Sequence, residues 1–224
     1  EITIPSQIDE TDVVEIYARA FWKNQVITKV TIPDCITTVN YRAFAECEKL
    51  EEVILPDIDL VLGESAFMGC KSLKKVHLNA GLTLIPVNLF KDCSSLVEVN
   101  IPDSVEEIEV EAFSNCISLG KLTLPVGLQS VGNYAFIDAK IQTVEYAGSE
   151  EQLRNIFISD WSNEAILERE IKTLADGHTV VLQPRKDDDP IPTPSASSAP
   201  INNGQTPGPS PSQGNTEGSS QGTA

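Results

Sequence analysis

The sequence predicts a repeat solenoid, a stack of coils that each contribute one short strand to a parallel sheet, closed at the C-terminal end by a segment of different character. Three observations predict it. Phenylalanines stand at Phe21, Phe44, Phe67, Phe90, Phe113 and Phe136, always 23 residues apart, each after an alanine except Phe90, which follows Leu89. Nine positions after the first five come Val30, Val53, Val76, Val99 and Leu122, and two further on Ile32, Leu55, Leu78, Ile101 and Leu124. Four copies, of which "RAFAECEKLEEVILP" (42–56) is the first, also carry a cysteine at one fixed place: Cys47, Cys70, Cys93 and Cys116.

Each part of the unit has a physical reading. In Leu50, Val53 and Leu55 the last two residues alternate, so they point to one side of a short strand. Pro33, Pro56, Pro102 and Pro125 then end the strand by removing a backbone donor, with Asn79 in that place in one copy. A second apolar pair, such as Val105 and Ile108, leads into the next Ala-Phe turn. A unit with three or four inward residues cannot bury them alone, so only stacking completes a core. The sixth copy is one residue short and gives Val144 and Tyr146, and Pro5 to Pro33 carries a five-residue insertion.

The C-terminal cap is expected over roughly 148–183. "SEEQ" at 149–152 reads as a capping box, with Ser149 as N-cap and Gln152 three residues later. Leu153, Ile156 and Phe157 are expected to share one helical face that covers the last coil. The stretch 162–183 is ambiguous between a helix and a closing strand such as "TVVL". Residues 184–224 change to Pro, Ser, Gly, Thr, Asn and Gln, a composition that cannot offset its ordering entropy and predicts a disordered linker or tail.

The pattern AFxxCxxLxxVxIP at period 23 resembles the BspA-like, treponemal-type leucine-rich repeat of bacterial surface proteins. The resemblance covers roughly residues 1–183, and "YAGSEEQLRNIFISDWSNEAI" (146–166) is similar to the closing segment common in that family. It implies a right-handed leucine-rich-repeat-type stack, secreted or attached to the bacterial cell surface, and associated with adhesion. Asn24 and Ala139 depart from the pattern where the repeat cysteine would stand.

Charge and composition exclude other classes. A net charge of −17 argues against nucleic acid, which rewards clustered Lys and Arg. No apolar run approaches the roughly 18 residues of a spanning helix, so membrane insertion is not expected. The cysteines form no C-x-x-C pair and lack metal-site spacing, and while Cys35 stands apart, the four repeat cysteines each follow a buried Phe by three residues. They read as reduced, small apolar core residues. His77 lies on a strand between inward Val76 and Leu78, facing away from the thiols, and His178 sits by Asp176 and Gly177 in a turn. No nucleophile-base pair is proposed by these residues, and no catalytic site, metal or cofactor is expected. Asp187–Asp189 lack the ligand spacing of a calcium loop, and Trp22 and Trp161 are expected to pack at the core or rim of the two ends.

The outward side of the strands is the candidate binding surface. One column runs Lys29, Glu52, Lys75, Glu98 and Lys121, alternating in sign, which a structural ladder would explain. Its neighbour, Thr31, Ile54, His77, Asn100, Thr123 and Glu145, is mixed, and variety on a strict repeat is where recognition would be written. Ile54, His77 and Asn100, with Lys75 and Glu98, are the candidate partner contacts. The sequence is therefore read as a monomeric, non-catalytic, adhesin-like recognition module for a protein or glycan. The alternatives are a passive spacer or an accessory binding domain of a larger secreted enzyme.

Overall fold

The structure, a computed structural model, describes residues 1–182; the expected linker at 184–224 lies outside the described residues. Nine strands form the main sheet in the spatial order Ile2–Thr3, Lys29–Thr31, Glu52–Ile54, Lys75–His77, Glu98–Asn100, Lys121–Leu124, Thr143–Tyr146, Glu170–Thr173 and Thr179–Val181. All neighbours are parallel and in register with the repeat except the last two, which close the sheet as an antiparallel pair. Val30, Val53, Val76, Val99, Leu122 and Val144 all point inward and are buried.

The phenylalanines form a continuous column beneath the turns. Adjacent rings from Phe21 to Phe136 stack with centroids 4.9–5.9 Å apart. From Phe44 onward they are fully buried, each burial stabilising the stack by roughly 1.5–3 kcal/mol relative to exposure. The end ring, Phe21, has a neighbour on one side only and is half-buried.

The turn around each Phe has a feature that the apolar pattern did not disclose. The residues two before and two after it are left-handed in every coil: Arg19 and Lys23, Arg42 and Glu46, Ser65 and Gly69, Asn88 and Asp92, Glu111 and Asn115, Tyr134 and Asp138. That conformation costs roughly 1–2 kcal/mol for a non-glycine residue. It turns alternate N–H groups toward the next coil, where they are satisfied. Arg42, Phe44 and Glu46 donate to Glu64, Ala66 and Met68 at 3.1, 2.9 and 2.6 Å, and the same three bonds recur coil after coil.

Each coil also carries a second strand, two residues long, beyond the one per coil that the sequence suggests. These pair as Glu15–Ile16, Thr38–Val39 and Val61–Leu62, and separately as Leu84–Ile85, Glu107–Ile108, Ser130–Val131 and Phe157–Ile158. The break between the two groups has a cause. Asn40, Gly63, Glu109, Gly132 and Ser159 each donate an N–H to the preceding coil at 2.7–2.9 Å. The equivalent residue in the remaining coil is Pro86, which has no N–H to give.

The ends are built differently from the coils. The N-terminal insertion is a small hairpin, Gln7–Ile8 with Thr11–Asp12, turned by left-handed Asp9 and Glu10. At the other end the capping box forms as expected: Ser149 Oγ accepts from Gln152 N, and Ser149 N donates to Gln152 Oε1 at 2.9 Å. The helix is only Glu150–Arg154, so Phe157 does not share its face. It lies instead on the strand Phe157–Ile158, where period-two alternation buries Ile158 and leaves Phe157 half-buried. The ambiguous stretch resolves into both alternatives, a short helix Glu164–Leu167 followed by the closing strands Glu170–Thr173 and Thr179–Val181.

Candidate recognition surface

The solvent side of the main sheet is positioned by the buried valine column beneath it. Because Val53, Val76 and Val99 are fixed inward, Glu52, Ile54, Lys75, His77, Glu98 and Asn100 must face out. Parallel pairing sets Lys75 between Glu52 and Glu98, and His77 between Ile54 and Asn100. All five candidate residues therefore fall on one patch three strands wide. Lys75, His77, Glu98 and Asn100 are exposed and Ile54 is half-buried.

The alternating charges do not behave as one ladder. Lys29 Nζ meets Glu52 Oε2 at 3.1 Å, as the column predicts. Lys121 instead reaches diagonally to Glu145 Oε2, at 3.0 Å, on the far side from Glu98. Glu52 and Glu145 are thus paired from the two flanks, and among the described residues neither Lys75 nor Glu98 forms an ion pair or a side-chain hydrogen bond. Exposed pairs of this kind contribute only about 0–1 kcal/mol, so the two unpaired charges cost the fold little.

The thiol column lies inside the core, whereas His77 faces solvent. Cys47, Cys70, Cys93 and Cys116 are buried and free. They are more than apolar filler: each Sγ donates to the carbonyl of the Phe one coil back, Cys47 to Phe21 O at 3.0 Å, Cys70 to Phe44 O at 3.2 Å, Cys93 to Phe67 O at 3.3 Å and Cys116 to Phe90 O at 3.2 Å. Burial pushes the thiols up, Cys47 to about 11 and Cys116 to about 12. They are held as neutral donors, and a thiol in that state is no nucleophile at neutral pH. In the first coil Asn24 replaces cysteine and folds its own turn, its Oδ1 accepting from Val26 N and Ile27 N at 2.9 and 3.0 Å.

His178 is engaged in closing the stack. Its Nδ1 lies 2.9 Å from Glu150 Oε2 and 3.6 Å from Asp176 Oδ2. Asp176 also accepts from Thr173 Oγ1 and from Glu150 N, contacts that hold its carboxyl down at about 2. Trp22 and Trp161 sit on the rim, Trp22 donating to Glu46 Oε1 at 3.1 Å and Trp161 edge-on to Tyr134. Among the described residues no three His, Cys, Asp or Glu side chains converge as a metal site, and no helix is long and apolar enough to cross a membrane.

Sequence reasoning missed Asn163. Fully buried, it stands where a further coil would supply backbone. Its Oδ1 accepts from Phe136 N at 3.3 Å, and its Nδ2 donates to Gly132 O and Ser159 O at 2.9 and 2.8 Å. As a residue used once, it has no periodic signature that could have found it. The left-handed position two after each Phe was findable, since Gly69, Asp92, Asn115 and Asp138 are the residue types that tolerate it.

Comparison with known proteins agrees with this geometry. The profile of the BspA type leucine-rich repeat region matches six copies, over residues 14–142 and 60–164. A search of curated proteins returns no match. Among solved structures, the chain is similar to a leucine rich cell surface protein from Faecalibacterium prausnitzii, with 27% identity and a TM-score of 0.50 over 64% of this chain and 46% of that one. It is also similar to a leucine-rich repeat protein from Eubacterium ventriosum, with 25% identity and a TM-score of 0.55 over 65% of this chain and 40% of that one. The pneumococcal vaccine antigen PcpA shares the fold at 23% identity and a TM-score of 0.51, over 67% of this chain and 40% of that one. The chain spans less than half the length of each of these three. Its six matched copies, phenylalanine column and in-register coils place it in the BspA-type leucine-rich repeat family.

Proposed function

We propose that this solenoid is a non-catalytic, adhesin-like recognition module, displayed as a monomer on a bacterial cell surface, which binds a protein or glycan through the solvent side of its main sheet. One observation carries the reading. Lys75, His77, Glu98 and Asn100 form a contiguous exposed set on adjacent strands, and the two charges among them are unpaired among the described residues. A partner there gains hydrogen bonds and charge pairing without first breaking contacts inside the protein. Ile54 supplies the apolar edge of the same patch. The similarity to a protein described as a cell surface protein supports the display.

The test is a binding screen of the chain against matrix proteins and glycans, repeated with the Lys75→Ala, His77→Ala, Asn100→Ala triple variant. A ligand that binds the parent and at least tenfold more weakly the variant supports the reading. A ligand indifferent to the triple variant moves the site off the sheet, and the absence of any ligand favours a passive spacer.

A further inference from the structure

The geometry points to a second binding site, for a carboxylate-bearing sugar, on the turn side of the first two coils. The turns around Phe21 and Phe44 carry three bases, Arg19, Lys23 and Arg42, against one acid, Glu46, in a chain whose net charge is −17. Three exposed aromatic rings, Tyr17, Trp22 and Tyr41, stand among these bases, with Tyr17 71% exposed. Arg19 lies 5.6 Å from the Trp22 ring centre and 5.7 Å from that of Tyr41, and Arg42 lies 5.1 Å from Tyr41. Two guanidinium groups thus converge on one ring. Among the described residues neither has an ion pair or a side-chain hydrogen bond, and Arg42 Nε is buried without a partner.

Like charges brought together without a counter-ion repel, and an anion bound between them relieves that cost. Guanidinium presents a planar fork that matches a carboxylate in two-point contact. A pyranose ring adds a flat C–H face that rests on an aromatic ring, and Tyr17, which among the described residues has no ring or cation contact, is free to receive it. The site favours a sugar over an acidic polypeptide because it is narrow. Lys23 is already neutralised by Glu46, 3.4 Å away, which also accepts from Trp22. On the other side Glu15 Oε2 accepts from Asn40, next to Tyr41. An extended acidic chain would run onto those carboxylates, whereas one carboxylated sugar unit would not. This site shares no residue with the sheet face.

The experiment titrates the full chain, in a Trp161→Phe background, with the methyl glycoside of galacturonate, a single carboxylated pyranose, and follows Trp22 fluorescence. Its methyl-esterified form serves as the neutral counterpart, and a polyglutamate peptide as the competing class. The expected result is saturable binding of the galacturonate glycoside, at least tenfold weaker for the methyl ester and for Arg19→Gln, and weakened also by Tyr17→Ala. Arg19→Gln keeps a non-glycine residue at an exposed left-handed position, so its effect reports charge rather than folding. The sheet-face triple variant should bind as the parent does, which separates failure here from failure of the proposed function. No binding, equal binding of the methyl ester, indifference to Arg19→Gln, or tighter binding of polyglutamate would each overturn the assignment.

Discussion

The interior coils and the C-terminal closure solve one problem in two ways. Between residues 42 and 115, every turn N–H that points along the axis finds a carbonyl because the next coil repeats the same backbone. After Phe136 there is no such coil. Tyr134 N donates to Trp161 O instead, and Phe136 N is met by a side chain, Asn163 Oδ1. Repetition lets any one residue be ordinary, since its bonding is supplied by translation. Ending the repetition requires particular residues, and Asn163, Asp176 and the Ser149 capping box serve that purpose.

The sharpest way to break the contrast is in the interior. Phe90→Ala removes a fully buried ring stacked on both sides and should cost about 3–5 kcal/mol, read as a lower denaturant midpoint for the whole stack. A negligible change would mean that the column is not the core. Asn163→Ala should cost about 2–4 kcal/mol, because it leaves Phe136 N and Ser159 O without partners and Gly132 O with only the long bond from Ala135 N at 3.4 Å. Its effect should be local, with amide exchange accelerated in residues 132–171 more than in residues 44–99.

That asymmetry also explains what was legible in the sequence. The strands, the Phe column, the inward valines and the outward faces of Lys75, His77, Glu98 and Asn100 follow from period 23 combined with period two, because six copies of a weak pattern make a strong one. The break at Pro86 is the effect of one missing donor, visible only once the inter-coil bonds are known. The charge ladder misled because reach decides pairing: a lysine's flexible stem let Lys121 choose Glu145 over its register neighbour Glu98. Phe157 was misplaced because its i, i+4 spacing from Leu153 suits a helix that in fact ends at Arg154. The thiol hydrogen bonds were hidden because cysteine's apolar and donor roles occupy the same position.

Two pH experiments sharpen the comparison further. The interior thiols have folded values raised above the ordinary cysteine value of 9.0 by burial. A raised value means that the stability they contribute is whole below that ordinary value and is lost as pH rises toward about 11 for Cys47 and about 12 for Cys116. The denaturant midpoint should therefore fall between pH 9 and 11, and a thiol reagent at pH 8 should label Cys70 and Cys93 only as fast as the stack unfolds. A midpoint flat across that range would remove the thiols from the account. The closure responds at the opposite end. Asp176 is held down from 3.8 to about 2, so its contribution is present above 3.8 and lost as pH falls through that window. This effect should be the smallest, seen as loosening of the Thr173 N–H to His178 O bond in the closing hairpin while the interior coils stay intact. Simultaneous loss of both regions would contradict it.

The most direct test is residue-resolved amide hydrogen exchange under native conditions. Phe44, Phe67, Phe90 and Phe113, with the left-handed residues two positions to either side, sit in turns rather than in strands, yet each donates to the next coil. Their amides should be among the slowest to exchange, opening only with the whole stack, while those of the hairpin at residues 7–12 exchange quickly. Turn amides that exchange as fast as that hairpin would show that the coils are not bonded through their turns, and the account of how this surface is held would fail.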